Sequence, residues 1–484
     1  MEALWILKPK NRGGITLQFP QELKVHLIES TPSCLALDIN TSALIEISPV
    51  VKDLLKRANR MSTEELYTFL CNKYPVEEVE VAFRDIQTLK ERKILLSQEE
   101  KEDWKFNPYK MDYRIGNIAL NLTHDCNMRC KYCYAGEGNY GGPRTYMTIP
   151  TAERSIDFLF ECAGPRKYLS ITFFGGEPLM NFDVLKFCVL YANDKARSLG
   201  KEIEYTVITN GTLLTNEVID FLNEYKLGVQ ISIDGPPGIQ DYLRPFPRGV
   251  GSSGAIEPKI INFTRSRGNR GSVRATLTRK NLNLVESAKY FLNLGFTHIH
   301  FEPVTVSVDS SLFLDPEDFP ILRQEYEKLA QFYLEELLRG HYFGIEGFTN
   351  TMSATYSGDQ RWYGCGVGRT YIAITPTGDI YPCHRFQGMK EWKMGDIYGG
   401  IEKRFLDIFL QTYGENFPEC NQCWLLKYCG GGCVVESLLY NNAMEKPPAW
   451  HCYIRRVEAE LGLKIYQAIM HKDSTILDDL YGRR

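Results

Sequence analysis

Between about Gly116 and Val304, apolar runs of strand length alternate with runs of helical period, and this alternation limits the fold more than any other feature of the chain. The strand-like runs are NIALNLT, YLSITFF, IEYTVIT, GVQISID, SVRATLT and HIHFEPV. Helical stretches such as AERSIDFLFECA, DVLKFCVLYANDKARSL, NEVIDFLNEY and LVESAKYFLNLG lie between them. Such alternation pairs strands in parallel through right-handed crossovers. Six units fall short of the eight of a closed barrel. The expectation is therefore an α/β chain built on a partial (β/α)6 TIM-like barrel over residues 113–345. Its strand ends would form the carboxyl face, where β/α enzymes place their chemistry.

A chain of 484 residues is too long for one ordinary core. Ahead of the barrel, CLALDIN and ALIEIS read as short strands, followed by the helical patterns PVVKDLLKRA, STEELYTFLCNKY and VEEVEVAFRDIQTLKERKIL. Ser62 and Glu65 have capping-box spacing at the start of the second helix. This suits a winged-helix-like module over residues 1–108, and the polar stretch 97–112 reads as a linker. The net charge of -4 argues against a nucleic-acid partner. The start, MEALWILKPKNRGG, has no signal-peptide core, and no run approaches the roughly 18 apolar residues of a membrane span. The expectation is a cytoplasmic protein with no membrane partner.

Fourteen cysteines in a long chain without an export signal are better read as metal ligands or catalytic groups than as disulfides. Three fall at 126–133 and seven between 365 and 452; Cys34, Cys71, Cys162 and Cys188 are scattered among apolar neighbours and read as small buried hydrophobes. Cys126, Cys130 and Cys133 form C-x3-C-x2-C directly after the first barrel strand. Three thiolates can hold three irons of a [4Fe–4S] cube and leave the fourth open, whereas most electron-transfer clusters use four cysteines. A structural zinc site is the alternative, but it favours a second cysteine pair, and none lies nearby.

The triplet, with Tyr132 before its last cysteine, resembles the radical S-adenosylmethionine (SAM) signature. Phe174-Gly175-Gly176-Glu177-Pro178 after the second strand resembles the GGEP motif, which in that superfamily binds the SAM amino group. The resemblance implies that Cys126, Cys130 and Cys133 hold the catalytic cluster, with Glu177 as a negative partner for the ammonium. Asn210, Ser232 and Asp234 stand at later strand ends, and Glu302-Pro303 ends the sixth. By similarity to sulfatase-maturating relatives, Ser232 would touch the SAM ribose and Arg244 its carboxylate. Turn and capping roles remain open for Asn210 and Asp234.

The C-terminal cysteines read C-x12-G-x4-C, then C-x2-C-x5-C-x3-C, then a last cysteine. This resembles the SPASM extension of radical SAM enzymes, expected here over 346–470, which carries two auxiliary [4Fe–4S] clusters. A zinc ribbon at Cys420, Cys423, Cys429 and Cys433 is the alternative. The resemblance assigns Cys420, Cys423, Cys429 and Cys452 to one cluster, and Cys365, Cys383 and Cys433 to the other. Sulfatase maturases have one more cysteine ahead of Cys365 and an acid after Cys383; here that cysteine is missing and His384 takes the acid's place. The first auxiliary cluster would then have an open iron for a substrate thiolate.

Over about three quarters of the chain, HDCNMRCKYCYAGEGNYGGPRTYM, FFGGEPLMN and CGVGRTYIAITPTGDIYPCHRF resemble maturases that install thioether crosslinks in ribosomally made cysteine-rich peptides, of the SCIFF and ranthipeptide type. This implies three [4Fe–4S] clusters, SAM, a precursor peptide whose leader docks on the N-terminal module, and reduced flavodoxin or ferredoxin as electron donor. Other readings are a maturase making a carbon–carbon crosslink, an epimerised residue or amine dehydrogenase crosslinks, and an iron–sulfur electron-transfer protein without SAM turnover. From Arg244 to Lys280, nine Lys/Arg face the single acid Glu257. The strip reads either as a solvated face or as an attractor for an acidic core peptide.

Overall fold

The computed structural model describes residues 19, 23–30, 33–97, 114–361, 363–412 and 416–482. They divide into two compact units, one within Met1–Lys105 and one within Phe106–Arg484. Apart from Ser97, the linker expected at 97–112 lies outside the described residues.

In the first unit, β1 (Val25–Glu29), β2 (Cys34–Asp38) and β3 (Leu44–Ile47) form an antiparallel sheet in that order. Three helices follow: α1 (Pro49–Arg57), α2 (Thr63–Cys71) and α3 (Val76–Glu91). Leu54, Leu66, Leu70, Phe83 and Ile86 close one apolar core with Ala36 of the central strand. The capping box forms as its spacing requires: the Glu65 amide donates to Ser62 Oγ, and the Ser62 amide donates to Glu65 Oε2 at 2.9 Å. β1 was not anticipated, because VHLIE interleaves polar and apolar residues over only five positions.

The second unit contains the six anticipated strands: β4 (Asn117–Thr123), β5 (Tyr168–Gly175), β6 (Glu202–Thr209), β7 (Gly228–Ser232), β8 (Ser272–Leu277) and β9 (His298–Pro303). The helices α4 (Ile149–Ala163), α5 (Phe182–Ser198), α6 (Asn216–Glu224), α7 (Pro237–Leu243), α8 (Ser253–Ser266) and α9 (Leu284–Asn293) lie between them. Beyond β9 come α10 (Phe319–Leu338), β10 (Gly344–Ile345), α11 (Glu346–Ser357), β11 (Tyr371–Ile374), β12 (Asp379–Tyr381), β13 (Gly395–Asp396) and β14 (Gly400–Ile401). The chain ends in α12 (Lys403–Leu410), α13 (Pro418–Asn421), α14 (Leu426–Cys429), α15 (Val434–Asn441), α16 (Ala449–Lys472) and α17 (Thr475–Tyr481).

One sheet runs in the order β10-β9-β8-β7-β6-β5-β4-β11-β12-β13-β14. Pairing is parallel from β10 through β11 and antiparallel from there to β14. The six β/α units are thus extended by one parallel strand at each edge. A two-residue strand such as β10 leaves no periodic signal, and β11 lies in the cysteine-rich segment, so neither shows in the pattern. Because β11 pairs with β4, the cysteine-rich region continues the barrel sheet.

Strand parity sets the chamber. On β8 and β9, Val273, Ala275, Leu277, Ile299 and Phe301 are buried toward the helices. Their neighbours Arg274, Thr276, His300 and Glu302 therefore point to the opposite, inner side.

Candidate active site

The first cysteine triplet sits on the loop between β4 and α4. Short turns shape it: the Cys133 amide donates to the Cys130 carbonyl at 3.2 Å, and the Gly136 amide to the Cys133 carbonyl at 3.0 Å. The Arg129 and Lys131 amides donate to the carbonyls of Pro245 and Leu243, tying the loop to the end of α7. Burial pushes the Cys126 thiol up to about 11 and that of Cys130 to about 12, and raises Cys133 as well. Cys130 also feels both other sulfurs, so the three thiols are near neighbours.

The turn after β5 is laid directly on this loop. The Gly176 amide donates to the Thr123 carbonyl and the Glu177 amide to the Asp125 carbonyl, both at 2.9 Å. Gly175 has φ of 130°, and a Cβ on Gly176 would lie 2.0 Å from the Asp125 carbonyl oxygen; no other residue fits there. Pro178 then starts a short 3-10 turn. The Glu177 side chain turns inward: Oε1 accepts from Thr209 Oγ1 at 2.7 Å and from the Leu179 amide, and Oε2 from the Asn210 amide at 2.8 Å. Burial pushes its carboxyl up to about 7 against these donors. Glu177 thereby pins the end of β6 to the turn, a pillar role that the sequence does not reveal.

Asn210 is positioned by the loop after β6. Its Nδ2 donates to Asn127 Oδ1 at 2.9 Å, and its Oδ1 accepts from the Thr212 amide and hydroxyl. Ser232 ends β7 beside Arg274 of β8. Tyr132, Asp234 and Arg244 join in a chain: Arg244 Nη1 donates to the Tyr132 hydroxyl at 2.7 Å, which donates to Asp234 Oδ2 at 2.6 Å. Asp234 Oδ1 accepts from the Thr276 amide. Arg244 is buried, and its Nε has no hydrogen-bond partner among the described residues.

The C-terminal cysteines fall into two groups. Cys429, Cys452 and Cys423 lie close enough to Cys420 to raise it, with burial the larger cause, and it reaches about 12; Cys452 is pushed up to about 11 by burial and by Cys429 and Cys423. Burial, with Cys433 and Cys365 nearby, pushes Cys383 up to about 12, and burial with Cys365 nearby does the same to Cys433. Arg385 Nη1 lies 3.4 Å from the Cys433 sulfur and donates to Glu436 Oε1 at 2.9 Å; its other arm reaches Thr305 Oγ1. The His451 ring nitrogen is 2.7 Å from Glu436 Oε2. Burial pulls Glu436 up, but His451 and Arg385 hold it down at about 2. Sequence reasoning missed this group, although Glu436 three residues after Cys433 has the spacing to share its helical face. His384 hydrogen-bonds the Tyr371 hydroxyl at 2.8 Å and packs on Phe174, centroids 4.5 Å apart. Burial, with Arg385 and Arg274 nearby, drops it to about 3, so it is a neutral imidazole at neutral pH.

Beside this group opens a cavity of about 830 Å³, lined by Tyr134, Tyr140, Val306, Arg385, Met389 and Tyr440 among others. Four members of the basic strip are engaged within the fold. Arg267 donates to the carbonyls of Leu222 and Leu227, Arg279 pairs with Asp318, Lys259 reaches the Thr212 carbonyl, and Arg244 is buried.

Residues 120–251 match the radical SAM superfamily, and residues 365–424 match the SPASM iron–sulfur cluster-binding domain. The chain belongs to the radical SAM family, with a SPASM domain. An uncharacterised protein of Methanocaldococcus jannaschii is 32% identical over 278 residues, 56% of this chain and 86% of the relative. The radical SAM cyclopropyl synthase TigE of Paramaledivibacter caminithermalis is 22% identical over 397 residues, 78% of this chain and 79% of TigE. Among solved structures, native anSMEcpe with bound AdoMet matches with a TM-score of 0.60 at 19% identity, covering 74% of this chain and all of that one. Streptococcus suis SuiB bound to precursor peptide SuiA matches at 0.52 and 17%, covering 90% and 99%.

The family's cofactors are iron–sulfur clusters and SAM, and the residues fit them. The cysteine groups are thiol-only donor sets, held beside cationic Arg385 and Arg456. The unpartnered Arg244 Nε supplies a buried donor for an anion beside the first triplet. Among the described residues no helix is long and apolar enough to cross a membrane.

Proposed function

We propose that this chain is a peptide maturase that installs cysteine-sulfur-to-carbon thioether crosslinks in a ribosomally made, cysteine-rich precursor. The observation that carries the reading is the Cys365, Cys383 and Cys433 triplet: Cys383 feels both other sulfurs, and Arg385, 3.4 Å from the Cys433 sulfur, lines a cavity of about 830 Å³. Three protein ligands leave one iron of a cube for a thiolate of the substrate. The share of SuiB that this chain covers, with SuiA bound there, supports a peptide as the substrate class.

Cys126, Cys130 and Cys133 would hold the catalytic cluster. Cys365, Cys383 and Cys433 would hold the first auxiliary cluster, and Cys420, Cys423, Cys429 and Cys452 the second. Tyr132, Gly175, Gly176, Glu177, Pro178, Asn210, Ser232, Asp234 and Arg244 would contact SAM. Bound together, these cofactors supply a one-electron cleavage of SAM whose 5′-deoxyadenosyl group takes a hydrogen atom from a substrate carbon, and an acceptor for the electron left over when sulfur and carbon join. For each crosslink one C–H and one S–H bond break, one C–S bond forms, and the thiol hydrogen leaves as a proton.

The chain's own part is to orient and to shield. Arg244 and the Tyr132–Asp234 pair fix the anionic end of SAM, Glu177 anchors the turn that carries its amino group, and Phe174 with neutral His384 walls the space toward Cys383. In the N-terminal unit, the outer edges of β1 and β3 would accept the leader peptide as an added strand beside a winged-helix-like fold. Reduced flavodoxin or ferredoxin would be the electron donor.

The relative named as a cyclopropyl synthase favours a second reading, in which the same site joins carbon to carbon. An anaerobic assay with SAM, a strong reductant and a cysteine-rich precursor separates the two. Thioether formation gives 5′-deoxyadenosine, loss of about two mass units and loss of one alkylatable thiol per crosslink. The same mass loss with every thiol retained overturns it in favour of carbon–carbon bonding.

A further inference from the structure

Arg274 stands apart from the other cations around the chamber. It lies on the inner side of β8, paired in register with Ser232 of β7 and His300 of β9. Thr276, the next inner residue of β8, donates its amide to Asp234 Oδ1, so Arg274 lies one inward position from the SAM end. The Arg274 side chain keeps 39% of its surface open, and its nearest acid, Glu302, is 3.9 Å away.

Glu302 is already held by others. Arg455 donates to its Oε2 at 2.9 Å, and the His300 ring nitrogen meets the same oxygen at 2.9 Å. Arg385 is committed to Glu436, Thr305 and Cys433, and Arg244 to Tyr132. Among the described residues the Arg274 side chain donates no hydrogen bond; its ion-pair contact is the 3.9 Å approach to Glu302.

We propose that Arg274 anchors a side-chain carboxylate of the peptide residue that loses hydrogen, so that the preferred acceptor is Asp or Glu. The inference rests on the peptide-maturase reading and names its substrate class. The fork would receive both carboxylate oxygens, holding the acceptor's carbons between the SAM end, marked by Ser232 and Asp234, and the space beside Cys383. An amide in the same place would offer one acceptor oxygen and turn its own N–H groups toward a cation, so Asn and Gln would be rejected.

Two short synthetic Cys-Gly-rich peptides test this, identical except that one carries Asp and the other Asn, each deuterated on its side-chain and α carbons. The reconstituted full-length enzyme is given SAM, reductant and either peptide, and deuterium is read in 5′-deoxyadenosine. The wild type should transfer deuterium from the Asp peptide roughly ten- to a hundredfold more than from the Asn peptide. Arg274→Gln should bring the ratio near one, and Arg274→Lys, which keeps the charge but loses the fork, should fall between. The ratio is internal to each variant, so general damage to the fold lowers both rates and leaves it unmoved. Equal transfer from both peptides by the wild type overturns the proposal and leaves the peptide reading standing, as does a preference that survives in Arg274→Gln. Formation of 5′-deoxyadenosine with no deuterium from either peptide overturns the peptide reading and the proposal with it.

Discussion

Replacing Gly176 with alanine tests whether the glycine pair serves to lay the turn after β5 on the cysteine loop. A Cβ there would sit 2.0 Å from the Asp125 carbonyl oxygen and 2.4 Å from its carbon. Ordinary contact begins at 3.4 Å, so the two backbones must part by about 1.4 Å. Neither neighbour is a flexible side chain, and the displacement falls on the residue directly before Cys126. The hydrogen bonds from Gly176 and Glu177 to Thr123 and Asp125 would stretch beyond use. Two lost hydrogen bonds plus overpacking come to about 2–6 kcal/mol, concentrated on a loop that must present three sulfurs to one cluster. After anaerobic reconstitution, iron should fall by about four per chain, and 5′-deoxyadenosine formation should be lost. Gly254→Ala is the control: in the first turn of α8, its Cβ would meet nothing within 4 Å, and full iron is expected. A Gly176→Ala protein with full iron and normal SAM cleavage would refute the reasoning.

Three further perturbations read other parts of the site. Replacing Cys365, Cys383 and Cys433 together should remove about four irons per chain, and replacing Cys420, Cys423, Cys429 and Cys452 about four more; loss of all auxiliary iron from the first set alone would contradict the grouping. Glu436→Ala leaves Arg385 and His451 buried without their acid and should destabilise the anaerobic protein by about 3–5 kcal/mol in denaturant unfolding, whereas a change below about 1 kcal/mol would show the pair to be dispensable. Glu177, raised to about 7, favours the folded state through its protonated form. In the SAM-free protein its contribution is full below about 4.5 and is lost as pH rises through about 7. The stability difference between wild type and Glu177→Gln should therefore change across that window, and a difference flat from pH 4.5 to 7 would remove Glu177 as its source.

The six barrel strands were legible because each is a near-continuous apolar run whose buried positions also alternate, as Val273, Ala275 and Leu277 do. β10 was not, at two residues; nor was α8, which carries Pro258 in its interior and begins in a glycine- and serine-rich segment. At the site, the cysteines could be sorted by spacing, but the inward turn of Glu177 could not, since it depends on Thr209 and Asn210 arriving from another strand. The Arg385–Glu436–His451 group joins three separate segments and leaves no pattern along the chain.

The basic strip from Arg244 to Lys280 shows why charge counting alone misleads here. Its members share a stretch of sequence, but the fold sends several of them to unrelated tasks. Arg244 goes under the barrel mouth, Arg267 onto the carbonyls that end α6 and begin β7, and Arg279 against Asp318. Their summed charge therefore overstates what these three present to a peptide. Parity along a single strand distinguishes Arg274, because flanking residues buried among the helices force it to the inner side. A residue one position away would have pointed into the core. On the proposed reading, the specificity of the chamber turns on the register of β8 between β7 and β9, which places the Arg274 side chain level with Ser232 and His300. A cation elsewhere in the strip could draw an acidic peptide from solution, but it could not choose which of the peptide's residues is held for reaction.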